Sequence, residues 1–599
     1  MANNDSILLA ATEMSAANMT ETVVANLTIT EKLATLPTVL WENRDICLLE
    51  VRIIFTSLML IYIGSHAALR RPPSANPPKR GKKGGSREQP EQDDQYVQGL
   101  LPTDAILFPI MAGTVLVGLY YLIKWLEDPD ILNKVLRIYF SCISLASIGK
   151  LAADSLHILT GFVFPTVWTA GNGRVYHINS LKRGQWYRAG ASKDQVWDDE
   201  KETPLPGRWS ELGLADARNT LLWEVRHLLL EQWTVRFSIH GIANESFKVK
   251  FNDILGVVLA VAVNVVYYTT QSVFLSNFMG YAFSYAGIIM LSPTTFATGT
   301  GLLFGLFFYD IYMVFYTPYM MTVATKLDIP IKLVFEGPTK ASMLGLGDIV
   351  VPGIFIGLCL RFDHYMCYYR QQKLVPVELK TKDESSGQLV TNTQMQRMVI
   401  KPDYVNPQGQ WGDWFWTTKL GKVLSPDATP ALKASAFPKT YFYAAMIGYL
   451  LAMITTLAML LVFHRAQPAL LYLVPGVVFA VWITGALRGE LREMWAYTED
   501  GRLDTADTIV EVDGNGNIID VIHDDEGDDE SDDEEEKKQE TKTQVDARSN
   551  VNSAGDDVSK EKADKVVGGM TNDRKHILEA RKEKGYPVFL FSIEAPPPN

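Results

Sequence analysis

Along this 599-residue chain, long apolar runs alternate with strongly polar stretches. A helix needs about 20 mostly apolar residues to cross a ~30 Å hydrocarbon core. Nine runs approach that length: roughly 51–69, 104–124, 134–156, 253–270, 276–293, 297–317, 341–360, 441–463 and 468–487. The most apolar is YFYAAMIGYLLAMITTLAMLLVF, Tyr441 to Phe463. The third carries Lys150 and Asp154, with His157 just past its end, and the fourth and fifth lie close together. Inside a bilayer every backbone polar group has to be satisfied internally, which favours helices for runs of this length. The pattern predicts an all-α, multi-pass membrane protein with nine transmembrane helices and excludes a purely soluble one.

Three large polar inserts separate the runs, at 70–103, 164–252 and 361–440. The first is rich in Pro, Gly and Lys and is expected to lack fixed structure. The second contains ARNTLLWEVRHLLLEQW, in which Leu221, Leu222, Val225, Leu228, Leu229 and Trp233 recur at helical spacing. That helix either packs on the bundle, the simpler reading, or lies on the membrane surface. VRFSIHG and FKVKF flank a turn-like stretch and predict a hairpin. The third insert contains QWGDWFWTTK, whose aromatic residues suit a membrane interface. From about 498 onward the chain is expected to be mostly disordered, and no role is assigned to the apolar ending ILEARKEKGYPVFLFSIEAPPPN. The expected organisation is a tail over 1–50, four helices over 51–275, five over 276–487 and a polar tail over 488–599.

Charge orients this arrangement. The segment RRPPSANPPKRGKKGGSR after the first run holds seven Lys and Arg residues, which places it in the cytosol. The N-terminus is then luminal, with acceptor sequons at Asn4, Asn18 and Asn26. It shows no secretory signal, so the first run is expected to act as the insertion signal. Nine spans put the C-terminus and all three inserts in the cytosol. The net charge of −12 is local, because Asp524 to Glu536 alone carries eleven acids. The rest is near neutral, and nucleic acid is not an expected partner. Four scattered cysteines form neither a disulfide framework nor a zinc site.

Charged groups inside membrane spans are costly and so mark function. Asp310, preceded by Tyr309, lies in GLLFGLFFYDIYMVFYTP, and Asp348 in SMLGLGDIVVPGIFIGLCL. Neither has a basic partner in its own run. Asp310 is thirteen residues past 297 and Asp348 seven past 341. Read as antiparallel helices rising ~1.5 Å per residue, both carboxyls come within about 10 Å of the luminal edge. There they can share one proton, a state suited to activating water. Gln467, Pro468, Ala469 and Leu470 begin the ninth run at the same depth, and Pro468, Ala469, Gly345 and Gly347 allow close approach of another backbone.

The YD, GLGD and QPAL elements, in that order, resemble the GxGD intramembrane aspartyl proteases. IKLVF (331–335), MLGLGDIVVPGIFI (343–356), LRFD (360–363) and QPALLYLVP (467–475) are similar to signal peptide peptidases in particular. Presenilins share the motifs in the reverse orientation. The resemblance implies a presenilin-like helical architecture, with Asp310 and Asp348 as the catalytic pair. It implies that Tyr309, Gly345, Leu346 and Gly347 shape the site, and that Gln467, Pro468, Ala469 and Leu470 line it. It also implies an endoplasmic reticulum membrane location and transmembrane substrates such as remnant signal peptides and type II anchors, with self-association left open. The long inserts and the acidic tail depart from the family pattern, and the ending IEAPPPN has no dilysine signal.

No cofactor or metal is expected, since no cluster has ligand spacing and no Ser/Lys, Ser/His or HExxH set lies in a span. Two other readings stand beside the protease: a proton- or cation-coupled transporter using two intramembrane acids, and a scaffold that binds membrane segments without cleaving them. The transporter predicts inverted repeats, which are not seen. Lys150 and Asp154, one turn apart, read as an internal pair, and His66 and His157 as packing residues. The topology predicts glycans on one or more of Asn4, Asn18 and Asn26 and none on Asn244, whose sequon falls in a cytosolic insert. Mass spectrometric mapping of glycosidase-sensitive sites checks this, and a glycan on Asn244 reverses the map.

Overall fold

The structure is a computed structural model. It describes residues 44–77, 98–126, 129–188, 194–213, 215–239, 243–327, 330–337, 341–376, 379–382, 389–392, 396–417, 428–463, 467–499, 508–512, 518–522 and 589–595. The sequons at Asn4, Asn18 and Asn26 and the acidic run 524–536 lie outside these residues. Among those described, nine helices are long and apolar enough to cross a membrane. They are α1 (Arg44–Ala67), α2 (Pro102–Leu126), α3 (Pro129–Val163), α5 (Phe251–Thr270), α6 (Val273–Met290), α7 (Phe296–Phe315), α9 (Gly347–Tyr369), α12 (Thr440–Phe463) and α13 (Leu470–Arg488). Five shorter helices join them: α4 (Asp216–Leu230), α8 (Tyr319–Lys326), α10 (Trp411–Thr417), α11 (Pro430–Ser435) and α14 (Leu491–Ala496). The protein is a multi-pass membrane protein.

Helix α9 is the centre of the bundle. Every residue from Val351 to His364 is buried, against α1, α6, α7, α12 and α13. Its Asp363 accepts the backbone N–H groups of Tyr441 (3.2 Å) and Phe442 (2.9 Å), which have no acceptor within α12. The start of α12 is thus capped by a neighbouring helix. Helices α12 and α13 then pack almost backbone to backbone: a Cβ on Gly448 would come within 2.5 Å of the Gly476 carbonyl oxygen.

The membrane part is helical as expected, but the inserts carry sheet that the all-α expectation omits. Strand β1 (Gln98–Gly99) pairs with β8 (Leu291–Ser292), and β2 (Val167–Thr169), β3 (Val175–Asn179), β4 (Gly184–Arg188) and β5 (Gln195–Asp198) form an antiparallel meander. Trp168 and Tyr176 stack at 5.0 Å in its core, which Trp223 of α4 closes. Helix α4 is where the leucine spacing predicts it, yet it buries Trp223 and Arg226 while Leu221 stays 62% exposed. The apolar stripe is therefore not its packing face, because the aromatic sheet selects the indole. The QWGDWFWTTK cluster forms α10, which packs on the end of α3. There Asp413 accepts the Thr166 N–H at 2.7 Å and the Trp416 indole donates to the Phe162 carbonyl at 2.8 Å. Trp414 and Phe415 stay exposed. Lys150 pairs with Asp154 at 3.0 Å, and His157 is held by Asp253 at 2.8 Å.

A second compact unit gathers Glu231–Lys250, Leu374–Ile400 and Asp507–Asn599. Strands β6 (Gln232–Ile239) and β7 (Ala243–Lys250) form the expected hairpin. The segment with no assigned role supplies β17 (Phe589–Glu594), which pairs with β6. Strand β11 (Lys373–Pro376) lies beside β14 (Gln396–Ile400), β12 (Leu379–Lys382) pairs with β13 (Leu389–Asn392), and the polar tail contributes β15 (Thr508–Val512) and β16 (Ile518–Ile522) on the other side of β14. These apolar, β-branched runs are too short to stand out within an acidic tail.

The end of the bundle is tied by Glu499. Its carboxylate accepts from Arg361 at 2.8 Å, from Arg70, from Ser292 and from the Tyr497 hydroxyl at 2.7 Å. The Arg361 and Glu499 side chains are each 4% exposed. Burial pushes this carboxyl up, but Arg361 and Arg70 outweigh it and hold it at about 2, below the usual 4.5. Its stabilising effect is therefore full above about pH 4.5 and is lost as the pH falls through about 2. Glu499→Gln leaves buried guanidinium charge uncompensated and is expected to cost roughly 3–5 kcal/mol at pH 7. Thermal melts in detergent should show that gap narrowing as the pH falls below 4.5.

Candidate active site

Asp310 lies near the end of α7 and is 5% exposed. Helix α7 is fixed by its Thr295 cap, whose Oγ accepts the Thr298 N–H at 3.1 Å. Gly305 lets it close on α2, since a Cβ there would meet Pro109 Cγ at 2.8 Å. The Asp310 Oδ2 accepts the backbone N–H of Leu470 at 3.3 Å. Leu470 is the first residue of α13, so this N–H is an unpaired donor at the positive end of a helix.

Asp348 is the second residue of α9 and half-buried. The sequence reading starts this helix near 341, which proves too early. Residues 341–345 instead form β10 (Ala341–Gly345), antiparallel to β9 (Lys332–Glu336) in a hairpin. The rise used for the depth of Asp348 does not hold there, because a strand advances ~3.3 Å per residue. Asp348 thus occupies the first turn of its helix. It lies within reach of the Asp310 charge. Its own carbonyl accepts the hydroxyl of Tyr449, a fully buried residue of α12, at 3.3 Å.

The other expected site residues fall around these two. Gly345 ends β10 against Asp348, and a Cβ there would sit 3.5 Å from Oδ2. Leu346 precedes α9 and donates its N–H to the Ile331 carbonyl at 3.1 Å. A Cβ on Gly347 would meet open space. Pro468 and Leu470 are buried, Gln467 and Ala469 half-buried, and the Tyr472 hydroxyl donates to Gln467 Oε1 at 2.5 Å. Tyr309 turns toward α2, with Cε2 3.5 Å from where a Cβ on Gly113 would be.

Three supporting residues escape the sequence reading. The side-chain amide of Asn277 donates to the Val334 carbonyl at 2.7 Å and accepts its N–H at 2.8 Å, closing the outer edge of β9. As a polar group within a span, Asn277 carried a readable signal. Glu50 of α1 accepts the Ser342 hydroxyl on β10 at 2.7 Å. Tyr449, one tyrosine among many in the spans, carried none. Met343, opposite Val334, directs its backbone groups away from β9. Among the described residues no backbone bond takes them up. Among these residues there is also no cluster of His, Cys, Asp and Glu fit for a metal.

The sequence profile described as signal peptide peptidase matches residues 92–501. The chain belongs to the signal peptide peptidase family. Signal peptide peptidase of Homo sapiens is 31% identical over 414 residues, 67% of this chain and 75% of that protein. The Mus musculus protein of the same name is 27% identical over the same length and shares. Intramembrane protease 2 of Caenorhabditis elegans is 32% identical over 278 residues, 45% of this chain and 47% of that relative, so the chain spans about half its length. Membership makes this an intramembrane aspartic protease by family, and favours that reading over the transporter and the scaffold.

Proposed function

We propose that the chain hydrolyses peptide bonds within transmembrane segments, using water activated between Asp310 and Asp348. What supports this is the placement of the two acids: Asp310 accepts the first N–H of α13, and Asp348 stands in the first turn of α9, close enough to be influenced by the Asp310 charge. One proton is shared between them. The ionised carboxyl takes a proton from water, and the protonated one donates to the scissile carbonyl oxygen as the hydroxyl adds to its carbon. The gem-diol then collapses, the proton moves to the leaving nitrogen, and no covalent intermediate forms.

The substrate helix satisfies its own backbone and has to unwind before attack. The β-prone stretch 331–335 lies beside the site, but Val334 is already engaged by Asn277. In this reading the substrate adds to the free edge of β10 at Met343, which leads through Gly345 to Asp348. Gly345, Leu346, Gly347 and Tyr309 shape the site, and Gln467 to Leu470 line it. The five membrane-spanning helices from α6 onward form the catalytic half. The names of the relatives point to signal peptides as one substrate class, with type II anchors alongside. The endoplasmic reticulum membrane, with a luminal N-terminus and a cytosolic C-terminus, is part of the same proposal.

Asp310→Asn and Asp348→Asn are each expected to abolish cleavage, since an amide neither accepts the water proton nor returns it. Their thermal melts should hold or rise, because an amide is cheaper to bury than a carboxylate. Asp→Glu at either position displaces the carboxyl by over ~1 Å, worth about 10²-fold in rate. Single-turnover cleavage of a synthetic transmembrane peptide reads all four variants. Retained hydrolysis in a folded Asn variant sinks the aspartyl mechanism.

A further inference from the structure

A cavity of about 430 Å³ opens where α1 ends and α12 begins, away from the two aspartates. Its size is that of a small-molecule site. Tyr62, Trp411, Trp414, Phe437 and Tyr443 form its aromatic walls, and Lys439 is its cationic group. No acidic residue lines it among the described residues.

Lys439 directly precedes α12 and is half-buried. Among the described residues no carboxylate stands within ion-pair distance of its ammonium. Asp363, whose charge it feels, is committed to the N–H groups of Tyr441 and Phe442. The Lys439 Nζ instead lies 5.3 Å from the centre of the Phe437 ring, a weak compensation for lost hydration. Burial lowers this ammonium from its usual value. A desolvated cation with no anion beside it is costly, and an incoming anion removes that cost.

The surroundings say what kind of anion. Trp414 and Tyr443 are 51% and 50% exposed. Tyr443 belongs to a membrane-spanning helix, so its open face looks onto the bilayer, and Trp and Tyr favour the headgroup level. The basic segment from Arg70 onward follows α1 at this same end and assigns it to the cytosolic side, where the leaflet is rich in anionic lipid. A zwitterionic headgroup brings no net negative charge to offset the Lys439 ammonium. We propose that this cavity holds the headgroup of an anionic phospholipid, its phosphate on Lys439 and its glycerol and first methylenes along Tyr62, Trp414 and Tyr443.

The test uses full-length protein in nanodiscs of phosphatidylcholine with and without phosphatidylserine, which present the same lipid on both faces and need no activity readout. Native mass spectrometry after delipidation should show phosphatidylserine retained over phosphatidylcholine. Lys439→Gln should lower that retention at least tenfold, and Lys439→Arg should preserve it. Soluble glycerophosphoserine should not compete, which separates a lipid from a free phosphate. A second measurement needs only the wild type and a mild variant: brominated phosphatidylserine should quench tryptophan fluorescence more than brominated phosphatidylcholine, and Trp414→Phe should remove the excess. Equal retention of both lipids, unchanged retention in Lys439→Gln, displacement by the soluble headgroup, or equal quenching overturns the proposal.

Discussion

A carboxyl inside an apolar helix bundle has to be held by polar groups that the bundle itself supplies. This protein supplies them from helix starts, where backbone N–H groups lack intrahelical acceptors. Asp310 meets the first N–H of α13, Asp348 sits in the first turn of α9, and Asp363 caps α12. Each start is made by an interruption of the chain. Pro468 stands two residues before Leu470 at the head of α13, and the β9–β10 hairpin delays α9 until Gly347. Continuous helices through these positions would have consumed the donors and left the acids unsupported.

The same devices divide the bundle into two kinds of end. One end carries the hairpin, its two polar anchors Asn277 and Glu50, and the pair of carboxyls. These contacts are few, and β10 keeps one edge open, as a surface that receives an unwound strand requires. The other end carries the buried ion network of Glu499, Arg70 and Arg361, which joins the segments after α1, before α7, within α9 and after α14. It fixes the helices at a distance from the site.

Much of this was legible in the sequence because apolar length and misplaced charge are strong signals. Nine runs became nine helices long and apolar enough to cross a membrane among the described residues, and the YD, GLGD and QPAL strings pointed to the family that the profile match shows. The strand before Asp348 was not legible as such. ASMLG is apolar and adjoins an apolar helix, and only its partner, five residues of β9, decides against helix. The sheet at 167–198 was missed because strands of three to five residues are too short to carry a clear periodicity. The leucine stripe of α4 misled because burial there follows Trp223 and the aromatic sheet, not the apolar period. Glu499 lies beyond the last span, where nothing in the sequence separates it from a solvated tail.

The central claim is that Asp310 and Asp348 act as one unit. Binding of a gem-diol mimic to the purified protein tests it most directly, measured for the wild type, Asp310→Asn, Asp348→Asn and the double variant. Groups that share a proton lose their function together, so the double variant should bind about as weakly as either single one. Losses that add independently, or full affinity in either single variant, would contradict the account.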